Sequence, residues 1–148
     1  MSSTRVREAL QTGDLSLAKR LLGEPYRLCG KVVHGNKRGR DLGFPTANIT
    51  VHRKLVPLSG IFVVRVHGLG NKIYQGVASL GTRPTFHETR VVLEVYLFDF
   101  KDDIYGKAVE VEFLHKLRDE IRYDSVEALI EQMHQDVKDA KAYFKVSR

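Results

Sequence analysis

The chain has 148 residues, 43% hydrophobic and 28% charged, which is the make-up of one soluble globular domain with room for a single core and one principal site. No apolar run approaches the roughly 20 residues that cross a bilayer as a helix, and the N-terminus lacks the pattern of a secretory leader, so a cytoplasmic setting is expected. The net charge of +6 suits an anionic partner, but nucleic acid, a phosphorylated small molecule and an acidic protein would each satisfy it.

Residues 2–22 read as two short helical pieces. Ser3 or Thr4 can cap the first and Gly13 ends it; Asp14 can cap the second, and Gly23 with Pro25 stops it. From Tyr26 the apolar period changes to two, and β-rich runs follow at Tyr26 to His34, Ile61 to His67, Ile73 to Leu80, Arg90 to Phe98 and Lys107 to Leu117. Cys29, the lone cysteine, cannot close an internal disulfide and reads as a small buried hydrophobe in the first of these runs. Five or six strands joined by short turns, with no helices between them, exclude a parallel βαβ sheet and predict an antiparallel barrel or sandwich. Asp124 followed by Glu127 resembles a capping box. Val126, Leu129, Ile130, Met133, Val137 and Ala140 then recur at helical spacing, so a long amphipathic helix to about Phe144 should lay its apolar stripe on the barrel. That stripe is assigned no catalytic role.

Three segments could carry chemistry. The first runs from Gly35 to Asn48 and holds three glycines, the cations Lys37, Arg38 and Arg40, and then Pro45-Thr46-Ala47-Asn48. Glycines let a backbone approach a ligand closely, the cations suit phosphate oxygens, and Thr46 and Asn48 are hard oxygen donors two residues apart, on one face of an extended chain. A solvated basic hairpin would look the same. Neither a G-x-x-x-x-G-K-[ST] loop nor a G-x-G-x-x-G loop opening a helix is present.

The second segment is Val91 to Phe98, where Glu94 sits among apolar and aromatic neighbours. Alternation groups Glu94 with Val92 and Tyr96 and sets Leu93, Val95 and Leu97 on the opposite face. If the carboxylate is desolvated, its pKa rises toward the range useful to a general base; if it faces solvent, it is an ordinary outward residue of a barrel strand. The third is Arg118 to Asp124, a charged connection that could fold over a planar ligand through Arg118 and Tyr123 or could simply join a strand to a helix. Gly81-Thr82-Arg83-Pro84-Thr85-Phe86 is similarly open, since any tight turn uses such residues. The six histidines show no zinc-type spacing and no G-x-S-x-G elbow is present. A nucleic-acid-binding barrel is a weaker alternative, because the aromatics alternate mostly as core residues.

Taken together, Gly39 to Asn48, Pro57 to Phe62, Gly81 to Phe86, Leu93 to Leu97, Tyr105-Gly106, Phe113 to Arg118 and Tyr123 to Ser125 resemble the riboflavin kinase family, in order, over about residues 26–144. The resemblance implies a six-stranded antiparallel Greek-key β-barrel with a long C-terminal α-helix, and transfer of the ATP γ-phosphate to riboflavin, giving FMN and ADP. It further implies Mg²⁺ held by Thr46 and Asn48, Glu94 as general base, ATP contacts at Gly35, Arg40, Thr46, Leu97, Asp99 and Tyr105, and flavin contacts at Arg118, Ile121 and Tyr123. Tyr123 stands where phenylalanine is more usual. A module that holds FMN as a redox cofactor would leave the Gly-Phe-Pro-Thr-Ala-Asn and Glu94 combination unexplained. Ser2-Ser3-Thr4-Arg5-Val6-Arg7 is similar to the phosphate motif ending the adenylyltransferase domain of bacterial bifunctional riboflavin kinase/FAD synthetases. The sequence therefore divides into a helical lead-in, 1–25, expected to be a remnant of such a domain, and a kinase domain, 26–148, with neither nucleic acid nor membrane among its expected partners.

Overall fold

The computed structural model describes residues 3–33, 46–51, 56–84, 86–100 and 103–146. Helices α1 (Ser3–Gln11) and α2 (Leu15–Leu22) come first. Asp14 caps α2 by accepting from the Leu17 amide at 3.0 Å, and Gly23, at φ 82°, closes it with its own N–H on the Lys19 carbonyl, as the sequence predicts. Both helices belong to the main core: Ala9, Leu10, Leu15 and Ala18 are buried in one cluster with Tyr26, Leu28 and Phe113 of the barrel.

Six antiparallel strands follow: β1 (Tyr26–Val33), β2 (Ala47–Val51), β3 (Gly60–Leu69), β4 (Lys72–Pro84), β5 (Thr89–Leu97) and β6 (Ala108–Arg118). They close into a barrel in the order β1-β2-β5-β4-β3-β6, which leaves no strand edge open. Along each strand alternate residues point inward. Leu28 and Val32, Ile49, Ala78 and Leu80, Leu93 and Val95, and Val111 and Phe113 fill the interior, with Phe62 and Phe113 meeting edge to face at 5.4 Å between centroids. The same alternation corrects one expectation. With Leu28 turned inward, Cys29 points outward, opposite Glu110 on β6, and is exposed.

Register defines two barrel ends. Val33, Ala47, Leu97, Ala108 and Lys72 lie toward one end; Tyr26, Val51, Gly60, Pro84, Thr89 and Arg118 lie toward the other. Helix α3 (Val126–Val146) crosses the outer wall. Its Ala140 and Phe144 form a second apolar cluster with Val63 and Phe98, against which Val77, Tyr96, Leu117 and Val137 pack. The cap of α3 is Ser125, whose hydroxyl accepts from the Ala128 amide at 3.1 Å, one residue later than the expected Asp124. Glu127 consequently falls in the first turn, where its charge suits the helix dipole, and not at the reciprocal position of a capping box. No described helix is long and apolar enough to cross a membrane.

Candidate active site

The site lies on the outside of the barrel wall. Leu93, Val95 and Leu97 take the inner face of β5, so Glu94 and Tyr96 are forced outward, as their alternation requires. Solvation does not follow, because α3 and the irregular segment 119–125 stand over that part of the wall. Between wall and cover is a cavity of about 680 Å³ whose lining includes Thr46, Ser79, Arg83, Glu94, Arg118, Glu120, Ile121, Tyr123, Met133 and Asp136. Two readings of Glu94 that look exclusive in the sequence thus hold together: the residue is outward and half-buried.

That burial pushes the Glu94 carboxyl above the usual glutamate range. The positive charge of Arg83 opposes the shift, and the negative charge of Glu120 adds to it. Register puts Glu94 directly between Asn48 on β2 and Ser79 on β4.

Arg118, at the end of β6, is clamped to helix α3. Its Nε and Nη2 donate to the two oxygens of Asp136 at 2.8 and 2.7 Å, and its Nη1 donates to the Asp119 carbonyl at 3.1 Å. Gln132 supplies a further donor to Asp136 at 3.0 Å. The guanidinium carbon also lies 5.9 Å from the centre of the Tyr123 ring. The Tyr123 hydroxyl is buried with no hydrogen-bond partner among the described residues.

Of the residues singled out in the sequence, the cavity brings together Thr46, Glu94, Arg118, Ile121 and Tyr123. Asn48, although beside Glu94 in register, lines a smaller neighbouring recess of about 290 Å³ with Val33, Thr50 and residues 88–93. Leu97, Asp99 and Tyr105 are not part of the cavity lining. Leu97 is buried in the core, Asp99 is exposed in the turn after β5 with φ 55°, and Tyr105 is half-exposed in the turn before β6. These three nevertheless gather at the barrel end where β1 stops at Val33 and the chain re-enters at Thr46; the Gly106 amide donates to the Val32 carbonyl there at 2.9 Å. Gly35 and Arg40 lie outside the described residues.

Sequence reasoning gives no site role to Ser79, Glu120, Leu129, Met133 and Asp136. Ser79 carries no motif, and Glu120 falls within the connection Arg118 to Asp124 without a role of its own. Asp136 had a legible signal, a carboxylate set between Met133, Val137 and Ala140 in an otherwise apolar stripe, and burying it there requires a partner such as Arg118. The stripe itself does two jobs, packing through its C-terminal half and lining the cavity through its N-terminal half.

Comparison with known proteins first fixes the class of barrel. A solved riboflavin kinase from Trypanosoma brucei superposes with a TM-score of 0.58 at 27% identity, covering 82% of this chain and 81% of that one. A Streptococcus pneumoniae chain described as a macrolide-efflux protein superposes at 0.87 with 40% identity, covering 95% of this chain and 46% of its own. The riboflavin kinase family model, Flavokinase, matches residues 22–144, and the chain belongs to that family. Among curated relatives, the bifunctional riboflavin kinase/FMN adenylyltransferase of Haemophilus influenzae is 52% identical over 144 residues, covering 97% of this chain and 47% of the relative. The protein of the same description from Escherichia coli K12 is 43% identical over 148 residues, again with 47% of the relative covered. The chain thus spans about half the length of the curated relatives it matches.

Proposed function

We propose that this chain is a riboflavin kinase module that transfers the γ-phosphate of ATP to the ribityl 5′-hydroxyl of riboflavin, with Glu94 as general base and Thr46 and Asn48 holding Mg²⁺-ATP. One observation carries the reading: Glu94 and Thr46 share a cavity with the three residues expected to meet flavin, while Leu97, Asp99 and Tyr105, expected to meet nucleotide, gather at the barrel end from which Thr46 enters. A planar acceptor and a nucleotide approaching from the two sides would meet beside Glu94.

In-line phosphoryl transfer asks a protein mainly for alignment and for neutralisation of charge. Glu94 accepts the proton from the attacking hydroxyl as its oxygen bonds to phosphorus and the bond to the bridging oxygen of ADP breaks. Desolvation makes it a stronger base than a free carboxylate, since its raised pKa favours the protonated product. The donor set suits magnesium: Thr46 and Asn48 would offer it hard oxygens. When bound, it neutralises charge on the phosphates.

The lead-in is proposed as the end of an adenylyltransferase domain like that named in the curated relatives. Incubation of these 148 residues with riboflavin, ATP and Mg²⁺, followed by chromatography, should yield FMN and ADP in equal amounts. Glu94→Gln should lose about 10²–10⁴-fold in turnover with little change in ATP binding, whereas Thr46→Ala and Asn48→Ala should lose Mg²⁺-dependent ATP affinity. Near wild-type turnover by the glutamine variant would remove the base, and unchanged calorimetric binding of Mg²⁺-ATP would remove the ligand pair.

A further inference from the structure

Residues 119–125 form no helix or strand, yet Glu120, Ile121, Arg122 and Tyr123 from this segment wall the cavity. Side-chain burial in the segment is slight: Ile121 is 59% exposed, and Tyr123 is the one half-buried residue of the seven. Glu120 ties the segment to β4. The Ser79 hydroxyl donates to its Oε1 at 3.0 Å, and an Arg83 guanidinium nitrogen stands 3.8 Å from its Oε2.

Between those two residues on the same face of β4 is Gly81. A Cβ built there would lie 2.8 Å from Oε2 and 3.0 Å from Oε1 of Glu120, so the carboxylate occupies the space any other residue would fill. Ser79, Gly81 and Arg83 recur at a spacing of two, so one strand face presents a donor, a gap and a cation in succession. Asp119, next to Glu120, is held as well, by the Lys116 ammonium at 2.6 Å.

We propose that Glu120 is a positioning residue whose carboxylate, seated on Ser79, Gly81 and Arg83, latches segment 119–125 across the cavity and so sets the wall against which the planar ring of the acceptor lies. The inference rests on the riboflavin kinase reading and deepens it. Ser79 is the cross-strand partner of Glu94, so the seat lies one strand from the base, and the wall carrying Ile121 and Tyr123 is fixed relative to the reacting hydroxyl. Leu97, Asp99 and Tyr105, expected to meet nucleotide, lie toward the opposite barrel end, so the latch acts chiefly on the acceptor.

Gly81→Ala is a selective probe. It pushes against the far end of a flexible side chain, and Gly81 does not have the positive φ that would strain an alanine. Glu120→Ala removes the carboxylate, and Glu120→Gln keeps an acceptor for Ser79. In the ligand-free protein, amide hydrogen exchange over residues 119–125 should be about tenfold faster in Gly81→Ala and Glu120→Ala, with partial rescue in Glu120→Gln. Riboflavin KM and the Kd from flavin-fluorescence quenching should rise about 3- to 10-fold in the first two variants, more than kcat falls, with ATP KM unchanged.

A purely structural role would lower the melting temperature without separating the two substrates. Unchanged exchange in both variants would overturn the seat, and faster exchange with unchanged riboflavin affinity would overturn the positioning role. Exchange and fluorescence quenching are read without turnover, so a parent protein that binds riboflavin but makes no FMN would sink the kinase reading and leave the latch standing.

Discussion

Replacing Asp136 by alanine tests whether the cover of the cavity is held by a buried ion pair. The Asp136 side chain is 7% exposed and that of Arg118 18%, and the carboxylate accepts three hydrogen bonds, two from Arg118 and one from Gln132. Asp136→Ala leaves the guanidinium, among the described residues, with the Asp119 carbonyl at 3.1 Å as its hydrogen-bond acceptor and the face of Tyr123 beside it. Breaking a buried pair from one side costs about 3–5 kcal/mol, since the abandoned charge has been stripped of water. For a chain of this size each kcal/mol moves the melting temperature by roughly 2–4 °C, so a fall of about 10 °C is expected by circular dichroism, in agreement with a urea midpoint series. Arg118→Leu combined with Asp136→Leu should recover most of the loss, because apolar replacement of a whole buried pair is close to neutral. Loss below about 1 kcal/mol in the single variant, or a double variant as unstable as the sum of the singles, would refute the reasoning.

Glu94 should titrate above an ordinary glutamate in the ligand-free, metal-free protein, followed by carboxyl carbon NMR. Arg83→Gln should move it higher and Glu120→Gln lower, opposite directions set by the signs of the charges removed. Since the folded-state pKa is raised, ionisation of Glu94 opposes folding: its contribution to stability is fully present below the unfolded value and is lost as pH rises through the folded one. A Glu94 that titrates at or below the unfolded value would contradict the desolvation that sets the shift. Tyr123→Phe removes a buried hydroxyl with no partner among the described residues, so the ligand-free protein should be as stable or gain up to about 1 kcal/mol. A loss of that size in thermal melts would reveal a partner for the hydroxyl.

The barrel was legible because it rests on period-two alternation, and that signal is strong wherever one strand face fills a closed interior, as at Leu93, Val95 and Leu97. Cys29 shows the limit of the same signal. An alternating run gives two faces, and only the placement of Leu28 decides which one is inside. Glu94 was legible as a residue out of place, but its half-burial was not, because the cover comes from α3 and from residues 119–125, well along the chain. Seats such as Ser79, Gly81 and Arg83 around Glu120 escape sequence reasoning for the same reason: each residue is ordinary for a strand or a turn, and the meaning lies in a contact across 41 positions.

Charge bears on how the proposed nucleotide and acceptor would be sorted. Among the described residues the cavity lining carries Arg83, Arg118 and Arg122 against Glu94, Glu120 and Asp136. Arg118 is taken up by Asp136 and Arg83 lies against Glu120, so this wall offers little net field to an anion. It suits an uncharged planar acceptor. The dense cations of the sequence, Lys37, Arg38 and Arg40, fall outside the described residues, between Val33 and Thr46 in the chain. If the phosphates are drawn there and the flavin is not, raising ionic strength from about 0.05 to 0.3 M should weaken Mg²⁺-ATP binding severalfold while riboflavin affinity changes by less than about twofold. Equal salt slopes for the two substrates would mean that both are steered by one field, and the separation of nucleotide and acceptor along the outer wall would have to be abandoned.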